Sequence, residues 1–321
     1  MPIETLSSPL QAAVFVIGII LLVKGADWLV SGASFIATKL GIPKVIVGLT
    51  IVAIGTSAPE FAVSGYAALD GSGEIALANV VGSNIFNLGF ILALCALITP
   101  VQTSKVLVWR DGMVLLAGTI LMAIFSFTNS EFSRGEASVM VAGLVSYIGY
   151  LIYTVKKHKG SAEDIVEIEE VETEGNFKVA SFKLATGLFA LLFGCNLVVE
   201  TAQIFAKAMG LSEWFIGITV IAIGTSLPEL VTALTSVYKK DSDIGIGGLI
   251  GSDIFNIFGV VGMAALAKPL SVSDESTLPF YFLIFATILT AVFMRTGWRL
   301  SRNEGVILLV VASARYAYEI L

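Results

Sequence analysis

The stretch Ala53-Ile-Gly-Thr-Ser-Ala-Pro-Glu60 returns 169 residues later as Ala222-Ile-Gly-Thr-Ser-Leu-Pro-Glu229, identical at seven of eight positions. At the same offset, Gly82-Ser-Asn-Ile-Phe-Asn87 reappears as Gly251-Ser-Asp-Ile-Phe-Asn256, identical at five of six. Gly25, Gly41, Gly48 and Thr50 likewise find counterparts in Gly194, Gly210, Gly217 and Thr219. Self-similarity at one fixed, gapless offset marks a duplication, and the fold must accommodate two copies of one unit.

What surrounds these motifs is hydrocarbon-loving. Of the 321 residues, 56% are hydrophobic and only 14% charged, too little charge for a soluble domain of this size. Apolar stretches recur over approximately 11–39, 43–69, 75–99, 107–127, 136–155, 180–209, 213–238, 244–267, 278–294 and 303–320. About 20 helical residues at 1.5 Å each cross a core of roughly 30 Å, so each stretch is a candidate membrane helix. The expected fold class is therefore an all-α integral membrane protein of ten transmembrane helices. Five helices per copy force the second copy to enter the bilayer from the opposite side, an inverted-topology repeat of the kind transporters use. The expected organisation is a first repeat over 1–156, an acidic connection over 157–179 and a second repeat over 180–321. The connection carries Glu163, Asp164, Glu167, Glu169, Glu170, Glu172 and Glu174 among few large apolar residues and reads as a solvated linker.

Charge distribution orients the chain more than the net charge of −6 does. With both termini outside, 14 of the 19 basic residues fall on the cytoplasmic side, among them Lys39, Lys44, Lys105, Lys156, Lys157, Lys239, Lys240 and Arg299. That bias is the positive-inside pattern, and it makes the 157–179 loop cytoplasmic in a multi-pass protein of the cell membrane. No cleavable signal is expected, because Met1 to Gln11 has no basic region ahead of the long first apolar stretch. Cys95 and Cys195 lie inside apolar spans and suit small-residue packing. The single histidine, His158, lies in the basic loop, which excludes a histidine-based metal or catalytic site within the membrane.

Glu60 and Glu229 sit deep in their spans, where an ionised side chain costs about 2.5–3.5 kcal/mol on insertion scales. Lys24 is the only basic residue well inside a span, and Asp27, on the same helical face, is its natural local partner. Two acids without fixed counter-charges imply mobile ones. Thr56 and Ser57 precede Glu60 by four and three residues and share its face; Thr225 and Ser226 stand likewise to Glu229. Pro59 and Pro228 lack the N–H that would bond the carbonyls of Gly55 and Gly224, so helices 2 and 7 should break and release backbone oxygens. In the following spans Ser83 and Asn87 are four apart, as are Ser252 and Asn256. A ligand set of carboxylates, hydroxyls, amide oxygens and carbonyls suits hard cations such as Ca²⁺ and Na⁺.

On these doubled Gly-Thr-Ser-x-Pro-Glu and Gly-Ser-x-x-x-Asn motifs, the whole chain resembles the sodium/calcium exchangers of the calcium/cation antiporter superfamily, in their compact archaeal or bacterial form. The resemblance implies ten helices, with broken helices 2 and 7 and facing helices 3 and 8 enclosing four adjacent cation sites. It implies that Glu60 and Glu229 bridge several sites and that Thr56 and Thr225 help hold calcium. Ser57, Ser83, Ser226 and Ser252, with the carbonyls of Ala53 and Ala222, then correspond to sodium ligands, and helices 1 and 6 to a pair that slides across the core. Asp253 departs from the family pattern, standing where an asparagine normally follows Gly-Ser and where the first copy has Asn84.

The expected function is electrogenic Na⁺/Ca²⁺ antiport by alternating access, with H⁺/Ca²⁺ antiport through the same glutamates as the alternative. Na⁺ and Ca²⁺ are then substrates and the bilayer the only obligatory partner; no cofactor, nucleic acid or protein partner is expected. An intramembrane protease lacks support, since no histidine or evident lysine base stands near Ser57 or Ser226. No phosphate-binding Gly-Lys-Ser/Thr loop points to ATP.

Overall fold

A computed structural model describes residues 3–128, 131–158, 176–210, 222–272 and 277–320. The described chain is almost wholly helical, as a backbone in hydrocarbon must be to satisfy its own N–H and C=O groups. Helix α1 (Ser8–Leu40) carries Pro9 in its first turn and ends at Gly41, whose φ of 63° lets the chain turn back while its N–H bonds Thr38. Helix α2 comes in two pieces, Lys44–Thr56 and Ala58–Asp70, bent by 47°. There follow α3 (Gly73–Ile98), α4 (Leu107–Thr128), α5 (Arg134–His158) and α6 (Phe177–Ala208). In the second half, α7 has the pieces Ala222–Thr225 and Leu227–Tyr238, succeeded by α8 (Ser242–Ala267), α9 (Thr277–Arg295) and α10 (Arg302–Ile320).

Seven of these, α1, α3, α4, α5, α6, α8 and α9, are long and apolar enough to cross a membrane, and the bent α2 pair also qualifies. Residues 211–221, where the first part of the expected seventh span falls, lie outside the described residues, as do 159–175 of the acidic connection. Helix α6 starts at Phe177, inside the segment expected to be linker.

The two halves make matching contacts at their ends. Strand β1 (Val101–Gln102) pairs antiparallel with β4 (Arg299–Leu300), and β2 (Glu131–Phe132) pairs with β3 (Leu270–Ser271). Arg134 donates to the carbonyl of Ala267 at 3.1 Å, and Arg302 to that of Ile98 at 3.1 Å. Glu136 accepts from the backbone N–H of Ser133 at 2.7 Å, and Glu304 from that of Ser301 at 2.8 Å, so α5 and α10 begin with the same reciprocal cap. Each pair is related by an offset of 168 or 169 residues, within one residue of the 169 that separates the sequence motifs.

Small residues set how closely the helices approach. Helices α1 and α6 meet along glycines spaced seven apart: a Cβ on Gly25 would stand 2.7 Å from the Gly187 carbonyl oxygen, and one on Gly18 3.1 Å from that of Gly194. Helix α8 presses its backbone against α2 in the same way, since a Cβ on Gly251 would lie 2.7 Å from the Leu49 carbonyl oxygen. Two apolar clusters result. One joins α1 and α6 to α2 through Leu22, Leu29, Val52 and Leu191, and a larger one runs through α3, α4, α5, α8, α9 and α10.

The expected local pair of Lys24 with Asp27 does not form. Asp27 pairs instead with Lys239, just beyond α7, at 2.7 Å, and Lys239 also donates to Ser31 at 2.6 Å. Beside it, Lys44 and Asp241 pair at 2.5 Å, with Ser34 of α1 donating to the same carboxylate oxygen. A partner across the fold satisfies Asp27, which proximity along one helix did not reveal. Trp298 and Trp109 face Lys105 and Arg295, each 5.7 Å from cation to ring centre.

Candidate functional site

Both breaks are built alike. Ser57 (φ −77°, ψ 7°) and Ser226 (φ −91°, ψ 7°) leave the helical ladder, and proline in the next turn restarts it. Glu60 and Glu229 therefore stand in the first turn of a new helix, where the positive end of the helix dipole favours an acid. Each is sealed from solvent, at 0% and 3% exposure.

The halves hold each other's acids. Ser226 donates to Glu60 Oε1 at 3.2 Å, and Ser57 donates to Glu229 Oε1 at 3.4 Å. Ser252 adds a second donor to Glu229 Oε1 at 3.3 Å, while its hydroxyl shares a 3.0 Å hydrogen bond with that of Thr56. The carbonyl of Ala53 receives Thr56 and Ser252, both at 3.4 Å. Ser83 faces Glu60, and the two glutamates face each other. Neither acid takes part in an ion pair seen among the described residues, such as those of Lys44 with Asp241, Arg110 with Asp111 and Lys239 with Asp27.

Oxygen atoms are left over. Glu60 Oε2, Glu229 Oε2, Ser83 Oγ, Asn87 Oδ1, Asn256 Oδ1 and Asp253 Oδ2 are buried without a hydrogen-bond partner. One such atom costs about 1–3 kcal/mol, and more when charged, so a cluster of them at one level of the fold fits bound cations. Thr225 is buried at the α7 break, and Ala222 opens the described part of that helix. Carboxylate, hydroxyl and amide oxygens of this kind suit a hard cation.

Sequence reasoning expected both prolines to free a carbonyl, and here one correction is needed. The carbonyl of Gly224, which Pro228 cannot bond, accepts from the Cys195 thiol at 3.2 Å. Cys195 thus serves as a donor as well as a small packing residue. Thr232, one turn after Glu229, adds a buried, unpartnered hydroxyl that no repeat flagged, since its counterpart in the first half is Val63.

Asn84 and Asp253 were also missed as members of the site. Asn87 Nδ2 donates to Asp253 Oδ1 at 2.8 Å, and Asn256 Nδ2 donates to Asn84 Oδ1 at 3.1 Å. At the end of each motif the helix widens into a π-helical stretch, Asn87–Ile91 in α3 and Phe255–Val260 in α8, a feature that often accompanies functional sites. Only the repeated Gly-Ser-x-Ile-Phe-Asn hinted at this; the spacing itself does not signal a π turn.

Known proteins carry the same frame. The family described as sodium/calcium exchanger protein matches residues 10–156 and 180–313. The sodium/calcium exchanger MaX1 of Methanosarcina acetivorans is 34% identical over 92% of this chain and 95% of its own. Inner membrane protein YrbG of Escherichia coli is 32% identical over 92% of this chain and 91% of its own. A solved structure of the sodium-calcium exchanger NCX_Mj, soaked with Na⁺ and Ca²⁺, superposes with a TM-score of 0.83 at 30% identity, covering 96% of this chain and 98% of that one. This chain is a multi-pass membrane protein and belongs to the sodium/calcium exchanger family, in its compact prokaryotic form.

Proposed function

We propose that this protein exchanges Na⁺ for Ca²⁺ across the membrane by alternating access, with Glu60 and Glu229 as the shared carboxylates of the ion sites. The observation that carries the reading is the pair of sealed acids, each hydrogen-bonded to a serine of the opposite half and each with a second, buried carboxylate oxygen that has no protein partner. Around them, Thr56, Thr225, Ser57, Ser226, Ser83, Ser252, Asn87, Asn256 and the carbonyls of Ala53 and Ala222 complete the ligand set. Two carboxylates balance one Ca²⁺, whereas three Na⁺ would leave one excess charge. Exchange at that ratio moves charge and feels the membrane potential, at about 2.3 kcal/mol per charge per 100 mV.

The architecture proposed is ten membrane helices in two inverted five-helix repeats, 1–156 and 180–321, with α2 and α7 broken at the bilayer midplane. Both termini face outside and the 157–179 connection is cytoplasmic. In support stand the matched end contacts of the two halves and the cytoplasmic concentration of basic residues.

The test is Ca²⁺ uptake by purified protein in liposomes, with outward Na⁺, K⁺ or H⁺ gradients imposed separately. Accumulation of Ca²⁺ against its own gradient is expected with Na⁺ alone, faster when valinomycin and K⁺ clamp a potential that draws the excess charge outward. Uptake driven by the pH gradient without Na⁺ would replace this reading with proton exchange.

A further inference from the structure

Asp253 breaks the symmetry of the two Gly-Ser-x-Ile-Phe-Asn motifs. The first half has Asn84 at the equivalent position, yet both side chains are fully buried and both point across the interface between α3 and α8. Asn84 uses its two ends: Nδ2 donates to the Asp253 carbonyl at 3.1 Å, and Oδ1 accepts from Asn256 at 3.1 Å. Asp253 Oδ1 accepts from Asn87 at 2.8 Å.

An amide has a donor end and an acceptor end of nearly equal size, and only its partners decide which faces where. With Asn87 Nδ2 held by Asp253 and Asn256 Nδ2 held by Asn84, the oxygens of both amides are turned away from these bonds. Both oxygens are buried with no protein partner. The opposite orientation would bring an amide oxygen against the acceptor oxygen of Asp253 or Asn84 and turn an NH₂ group towards the ions, where it repels a cation.

We infer that Asp253 and Asn84 are positioning residues, which hold the Asn87 and Asn256 side chains with their oxygens towards the cations. The inference rests on the proposed ion site. It assigns Asp253 no direct contact with the ion. Outer partners that orient a ligand typically change metal affinity about 10–100-fold when removed.

The experiment measures Ca²⁺ half-saturation, maximal Na⁺-driven uptake rate and thermal stability of the full-length protein in liposomes or detergent. Asp253→Ala is expected to raise Ca²⁺ half-saturation about ten-fold or more. Asp253→Asn, which keeps an acceptor and reproduces the arrangement at Asn84, is expected to recover most of the affinity. In an Asn87→Ala background, Asp253→Ala should add little, because the group it orients is gone. If Asp253→Ala does not fold, Asp253→Leu, which keeps the branch at Cγ but offers no acceptor, reads the same loss. Unchanged half-saturation in a folded Ala or Leu variant, or full additivity with Asn87→Ala, overturns the inference. So does a fall in maximal rate or stability alone, which marks a purely structural role. Glu60→Gln in the same preparation separates the two levels: if it transports like the parent, the ion site itself is misplaced, whereas its inactivity beside an unaffected Asp253→Ala refutes only the positioning role.

Discussion

Ser226 reaches across the duplication to donate to Glu60 at 3.2 Å, so the acid of the first half depends on the helix break of the second. Ser57 returns the bond to Glu229 at 3.4 Å. Removing either hydroxyl should loosen both the acid and the join between halves. For Ser226→Ala and Ser57→Ala, each losing about 1 kcal/mol, roughly five-fold weaker ion binding is expected. Na⁺ and Ca²⁺ half-saturation in transport assays would check this, and an unchanged value for both ions would contradict it.

Glu60→Gln and Glu229→Gln should abolish Na⁺-driven Ca²⁺ uptake without unfolding the protein. A buried carboxylate with an unpartnered oxygen is a burden in the absence of a cation, and a neutral amide relieves it. In chelator and Na⁺-free medium, each Gln variant is therefore expected to unfold at the parent's temperature or above it. Addition of Ca²⁺ should raise the midpoint of the parent but not of the variants, because only a protein that binds the ion gains stability by mass action. Thermal unfolding of detergent-solubilised protein provides the comparison.

Gly25→Val should be strongly destabilising, while Gly65→Ala should be close to neutral. A Cβ at Gly25 meets the backbone of α6, with the Leu191 Cα 2.8 Å away, whereas one at Gly65 meets nothing within 4 Å. Overpacking of this kind costs about 1–3 kcal/mol, and backbone atoms cannot rotate aside as a side chain does. Thermal midpoints and yields of monodisperse protein distinguish the two; equal behaviour would mean that α1 and α6 do not meet as described.

The Asp27–Lys239 pair is half-open to solvent, with side-chain exposures of 41% and 25%. Asp27→Asn is accordingly expected to cost less than about 1 kcal/mol, and the loss should shrink in high KCl, which screens charge without supplying Na⁺. A double-mutant cycle with Lys239→Gln, read by thermal unfolding at low and high KCl, measures the pair directly.

Much of the site was legible because duplication repeats its donors. Thr56, Ser57, Glu60, Ser83 and Asn87 each had a counterpart 169 residues on, and a buried acid without a basic neighbour demands explanation wherever it occurs. The breaks were legible because proline cannot bond the preceding turn. What stayed hidden depends on contacts between distant segments. Asn84 and Asp253 look idle on an isolated helix, and only the meeting of α3 with α8 gives them Asn256 and Asn87 as partners. Cys195 bonding Gly224, and Asp27 choosing Lys239 over Lys24, likewise follow from packing that no helical periodicity encodes.

The glycines shared by α1 and α6 recur every seven residues on both helices, with Gly18 opposite Gly194 and Gly25 opposite Gly187. Slipping one helix past the other by a single turn would drive residues such as Leu21 and Leu29 into a gap only wide enough for backbone. The next matching register lies two turns away, about 10 Å at 1.5 Å per residue. The two rods are therefore spliced at their glycines, and a slip of one along the other finds no seat short of that distance.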